Sequence, residues 1–195
     1  MVECKTDNEF VYWNYIDVRI PLDKINSKLF FRETISPRLR NEFQDMDVVV
    51  LRSELGYKNS DWLKSSLGYD WFRRFNSTSD YENRIWQQFY LEKYNFFTRL
   101  RLEERFIENA DMVIRFRTMI GYEYKISKNY SLTLSDEIFL NLNDEAGLQQ
   151  NRVLLALSKK INDNLKVSLG YQLQHFFMDL DLINHGIVTR FQVDF

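Results

Sequence analysis

The chain holds one cysteine, two prolines, six glycines and two histidines among its 195 residues. A lone cysteine, Cys4, excludes an internal disulfide and any metal site built from clustered thiolates. No sign of charge dominates. Lys and Arg number 26 and Asp and Glu 28, for a net charge of −2, which excludes the basic surface that a nucleic-acid partner requires. The longest uninterrupted apolar run, Val153 to Leu157, is far shorter than the roughly 20 residues of a membrane helix. That rules out a helical membrane protein and leaves membrane strands open, because strands alternate. No apolar leader opens the chain either. Charge arrives at Glu3 and Lys5, so it reads as a cytosolic protein or as a mature form whose leader has been removed.

Aromatic residues, by contrast, are plentiful: 4 Trp, 11 Tyr and 16 Phe. They fall within segments of strict alternation. From Lys166 to Phe177, Val167, Leu169, Tyr171, Leu173 and Phe177 alternate with Lys166, Ser168, Gly170, Gln172 and Gln174. Residues 114–124 and 132–142 follow the same rule. Period two over ten or more residues describes a strand with two chemically different faces.

A longer repeat is laid over the alternation. Short polar turns start at Lys24, Lys58, Lys93, Lys125 and Lys160, at spacings of 34, 35, 32 and 35 residues. Their Asn, Ser and Asp side chains suit tight turns because they bond the local backbone. Longer polar stretches lie between them, at 41–47, 76–81, 108–111, 143–150 and 179–184. Each repeat is therefore two long strands joined by a tight turn and a looser loop, an up-and-down antiparallel meander. Residues 1–9 form an N-terminal segment and 10–195 a single barrel domain. Strands are expected at 10–20, 28–40, 48–58, 62–75, 82–92, 96–108, 112–125, 130–142, 151–160, 165–177 and 185–195. Eleven residues at about 3.3 Å each, tilted about 45°, give roughly 25 Å, the height of an outer-membrane apolar band. Bacterial barrels of this kind have even strand numbers, so the expectation is ten to twelve, with residues 2–8 the candidate twelfth strand.

Which face lines the interior follows from the polar parity. Arginine belongs to the strands and lysine to the turns. Arginines confined inside a barrel bond two carboxylates at once through their planar guanidiniums, whereas a solvated outer face would mix both cations. The lumen-lining set is Arg52, Glu54, Arg84, Arg99, Arg101, Glu103, Arg105, Arg115, Arg117, Glu123, Glu137, Arg152 and Arg190. Tyr57, Tyr69, Tyr122 and Tyr171 each follow a glycine. The inward glycine makes room for a neighbour's long side chain, while the outward tyrosine suits a membrane-interface girdle. Glu33, Arg73, Glu104 and Asp136 fall on the outward parity and resist this reading, and Pro37 calls for a local irregularity.

Several stretches resemble an uncharacterised family of Gram-negative outer-membrane barrels, a domain of unknown function (DUF2490). They are residues 84–88, 99–105, 137–142 and 150–152, with Trp13 opening the first strand. The resemblance implies a transmembrane β-barrel in the bacterial outer membrane and carries no established chemistry. The final alternating strand ends on Phe195 and is similar to the C-terminal signature that the outer-membrane assembly machinery recognises.

Catalysis is not indicated. His175 and His185 flank the last loop on the outward parity, without the partners of a hydrolase site. Asp179 and Asp181 lack the ligand number of a calcium motif. No metal site and no cofactor is expected. The leading function is a narrow passive pore or a solute-binding barrel with an Arg-rich lumen, embedded in membrane lipid and open to small anionic solutes. An outer-membrane lipid or peptide hydrolase, and a soluble lipocalin-like barrel binding an apolar ligand, are the alternatives.

Overall fold

The computed structural model describes residues 8–75, 80–143, 146–177 and 182–195. The alternating segments form eleven strands: β1 (Asn8–Pro21), β2 (Leu29–Arg40), β3 (Asp45–Lys58), β4 (Leu63–Arg74), β5 (Tyr81–Lys93), β6 (Phe96–Ile107), β7 (Val113–Lys125), β8 (Tyr130–Asn141), β9 (Gly147–Lys160), β10 (Leu165–Phe176) and β11 (Ile183–Asp194). Side chains close the tight turns as their composition requires. Asn26 Oδ1 accepts from the Lys28 amide at 2.9 Å, and Asn162 Oδ1 accepts from Asn164 and Leu165 at 2.9 and 2.8 Å. Ser60 and Ser127 play the same part for Leu63 and Tyr130.

Consecutive strands pair antiparallel, and the sheet closes by joining β1 to β11. An odd number of strands in a meander leaves the first and last running the same way, so this seam is parallel. It holds twelve rungs, from Asn8 opposite Ile183 to Arg19 opposite Asp194. Parallel pairing is slightly less stable per residue than antiparallel, and side chains reinforce the seam on both faces. Outside, the Tyr12 hydroxyl bonds that of Thr189 at 2.7 Å, and Thr189 donates to Asn14 at 3.0 Å. Inside, Arg190 lies 3.3 Å from Asp17 and over the Tyr15 ring. Eleven strands fall within the ten to twelve that the sequence predicts and match its eleven expected spans; the parity, open at the level of sequence, is odd and the closure parallel. The candidate strand at 2–8 lies, but for Asn8 at the start of β1, outside the described residues.

The two parities separate as polar inside and apolar outside. Buried positions are mostly polar or charged, and large apolar side chains are exposed far more often than buried. On β10, Gln172 and Gln174 are buried while Leu169 and Tyr171 are exposed. Three inward aromatic rings sit over inward glycines of a neighbouring strand. Phe30 is opposite Gly56, Trp86 opposite Gly68 and Phe97 opposite Gly121. A Cβ on Gly68 would stand 2.0 Å from the Trp86 indole, so only glycine admits that ring.

The four outward charges stay outward, and three of them have partners among the described residues. Glu33 accepts from the Ser53 hydroxyl at 2.8 Å, and Asp136 from the Asn151 amide at 2.5 Å. Arg73 pairs with Asp80 at 3.3 Å and lies over Tyr81 near the loops, while Glu104 is exposed. Pro37 falls where the β1–β2 register is interrupted, between the Trp13–Arg38 and Ile16–Ile35 rungs. It also sits beside a bulge at Arg38/Leu39. Its missing N–H therefore falls where the β1–β2 ladder is interrupted.

Candidate functional site

The lumen is built around three glutamates that hold eight arginines between them. Glu82 lies against Arg74, Arg84 and Arg105, the last two at 2.6 Å. Glu103 takes Arg115 and Arg117 at 2.6 Å and Arg101 at 3.5 Å. Glu137 takes Arg117 at 2.7 Å, Arg152 at 3.6 Å and Arg99. Arg117 bridges the last two clusters. Asp70 is clamped by Arg52 through Nε at 2.7 Å and Nη2 at 2.5 Å, and accepts from the Trp86 indole at 2.7 Å. Glu82, Glu103 and Asp70 are fully shielded from solvent. Register explains the arrangement. Arg84 faces Arg105, Glu103 faces Arg115 and Glu137 faces Arg152 directly across neighbouring strands, so the charges form one lattice over β4 to β9.

Cations outnumber anions in that lattice, and aromatic faces take up part of the excess. Trp86 carries Arg101 at 3.9 Å and Arg52 at 5.6 Å. Phe139 carries Arg117, Arg152 and Arg115 at 4.4, 4.8 and 5.1 Å, and Phe72 carries Arg84 at 3.7 Å. Trp13 lies against both Arg38, at 4.1 Å, and Arg152, at 4.6 Å. Each ring gives its quadrupole to a guanidinium whose carboxylate is shared with other cations.

The opposite wall is different. Val11, Trp13 and Val188 form an apolar cluster there with Tyr15 and Leu154, flanked by the amides of Gln150, Gln172 and Gln174. Between the two walls runs a cavity of about 470 Å³. It extends from Glu9 and Asn184 at the loop end to Lys166 and Gln192 at the turn end. A second pocket, of about 260 Å³, opens among the turns and shares Ser158 and Lys166 with the first.

Every residue of the sequence-derived lumen set points inward. Glu54, Arg84, Arg101, Glu103, Arg105, Arg115, Arg117 and Glu137 are buried; Arg52, Arg99, Arg152 and Arg190 are partly so. Glu123 belongs to the turn-end pocket rather than to the lattice, bonded to Ser131 at 2.6 Å and to Lys166 at 3.2 Å. Two features escaped the sequence reading. Glu82 opens the strand expected at 82–92 and continues the parity of Arg84, yet it is absent from the sequence-derived lumen set. The ring residues Phe72, Trp86 and Phe139 share the polar parity and were not read as part of the lumen. Beyond the strands, the Lys160 ammonium bonds Asp163 at 2.6 Å and holds that turn carboxyl below its ordinary pKa.

The two histidines are outward. His185 stands opposite Leu173 and His175 opposite Ile183; the His185 ring bonds the Tyr171 hydroxyl and stacks on Phe10. Among the described residues, no three His, Cys, Asp or Glu side chains are grouped to hold a metal ion. Cys4, Asp179 and Asp181 lie outside those residues.

No curated protein matches the chain. The model of the family described as "Protein of unknown function (DUF2490)" matches residues 10–180. That span takes in all but the first two residues of β1, the whole of β2 to β10 and all of the arginine lattice, and by it the chain belongs to this family.

Proposed function

We propose that the chain is a bacterial outer-membrane β-barrel that passes small anionic solutes through an arginine-rich lumen. Its outer face supports the membrane placement. Large apolar side chains such as Leu67, Leu134 and Leu169 stand more than half exposed around the barrel, at 62, 53 and 59%. A face of this extent in water would drive aggregation, and acyl chains are its natural solvent. Lysines gather at the turn end, where Lys28, Lys93 and Lys159 lie near the rings of Tyr57, Tyr94 and Tyr130. That pairing of ring and ammonium fits a membrane–water interface. The outward parity of β11 (Ile187, Thr189, Phe191, Val193), followed by Phe195, suits recognition by the outer-membrane assembly machinery.

The observation that carries the pore is the long cavity beside the lattice, which shares Ser158 and Lys166 with the turn-end pocket. Excess guanidiniums on one wall favour anions along that path. Conductance of the purified chain in planar bilayers tests this. The expected result is small, anion-selective steps whose reversal potential in a KCl gradient shifts toward the chloride value. Replacing Arg152 by Gln is expected to reduce the selectivity. No current in any salt would remove the pore.

A further inference from the structure

Two of the cavity's arginines are not satisfied by the lattice. Arg38 has no carboxylate within ion-pair distance among the described residues, and its Nε is buried without a hydrogen-bond partner. Arg152 reaches Glu137 only at 3.6 Å, and its Nε is unpartnered as well. Both guanidiniums lie against the same Trp13 ring, at 4.1 and 4.6 Å. Two cations so placed repel one another unless an anion comes between them. Three amides stand on the wall beside them. Gln150, Gln172 and Gln174 are 4–5% exposed and line the same cavity. Each has an unpartnered buried atom: Nε2 of Gln150, Nε2 of Gln172 and Oε1 of Gln174. A buried polar atom without a partner is unfavourable, so these five, among the eight such atoms on residues that line the cavity, describe a surface shaped for a polar guest.

We propose that this part of the lumen is a binding site for a small hydroxylated carboxylate, of the sugar-acid class. The proposal rests on the pore reading above and names the solute class that the pore prefers. The carboxylate sits between Arg38 and Arg152, where planar guanidiniums give paired, charge-assisted hydrogen bonds. Hydroxyls, which both donate and accept, answer the mixed donors and acceptor of the three glutamines. The carbon face of the solute packs on the apolar cluster around Trp13. A cavity of about 470 Å³ lies within the range of small-molecule sites.

Calorimetric titration of the full chain in detergent micelles tests the site, with gluconate, glucose and propionate as probes. Gluconate is expected to bind, propionate at least tenfold more weakly, and glucose not measurably. Arg38→Gln and Arg152→Gln are each expected to weaken gluconate about tenfold or more. Should those variants fail to fold, Gln172→Leu serves: gluconate is expected to lose about fivefold while propionate is unchanged. Equal binding of gluconate and glucose would overturn the proposal, as would gluconate affinity untouched by all three substitutions. Anion-selective conductance without gluconate binding would overturn it too and leave the pore standing.

Discussion

Glu103 shows what a single carboxylate does in this barrel. Solvent does not reach it, and three guanidiniums converge on it from β6 and β7. A buried ion pair adds little stability over a well-packed apolar pair, because desolvation offsets the Coulomb gain; losing one partner is another matter. Glu103→Gln leaves Arg101, Arg115 and Arg117 without a shared counter-charge, and we expect about 3–5 kcal/mol of destabilisation in guanidinium unfolding of the micellar barrel. Glu123→Gln is the control at the half-exposed turn end, where Lys166 is its cation; less than about 1 kcal/mol is expected. A loss at Glu103 no larger than at Glu123 would mean the lattice is not electrostatically tight. Much of this was legible residue by residue. Period two alone sorts Arg101, Glu103 and Arg105 from Leu100, Leu102 and Glu104. Hidden were the positions where parity and polarity disagree. Phe72, Trp86 and Phe139 look apolar and so seem to belong outside, yet each stacks on a guanidinium within. A ring's capacity to solvate a cation is not visible in a hydrophobic count.

Among the elements, local chemistry sets the tight turns and therefore the strand boundaries. Asn162 and Ser127 close their turns by bonds within three residues, and β10 at 165–176 lies within one residue of its expected span. How the sheet closes was less accessible. Whether β1 meets β11, and in which direction, depends on pairing between residues 8–19 and 183–194, which no local pattern encodes. The seam is also the place where one strand's register is held by a neighbour distant in sequence. Ile187→Pro removes an N–H at the middle of β11 without touching the lumen lattice. We expect the thermal midpoint in micelles, followed by circular dichroism, to fall by several degrees, more than for Asp61→Pro in the turn between β3 and β4. An equal or smaller fall at Ile187 would show that closure of the seam contributes little to the fold.

For the molecule as a whole, the arrangement is that of a soluble protein inverted. Charge and amides fill the centre, leucines and aromatics cover the outside, and lysines mark one end. A lattice dense over β4 to β9 and a wall over β10, β11 and β1 dominated by apolar and amide side chains make the lumen asymmetric. That asymmetry leaves room for a path beside the lattice. The proposed pore, its solute site and its preference for anions all depend on the outer face meeting acyl chains. Site-directed nitroxides test this most directly. In a Cys4→Ser background, Leu67→Cys, Leu134→Cys and Leu169→Cys are labelled singly and the barrel is reconstituted in phospholipid bilayers. The account predicts that oxygen, which partitions into lipid, relaxes all three labels more than a water-soluble nickel chelate does. Stronger relaxation by the chelate at all three sites would place that face in water and contradict it.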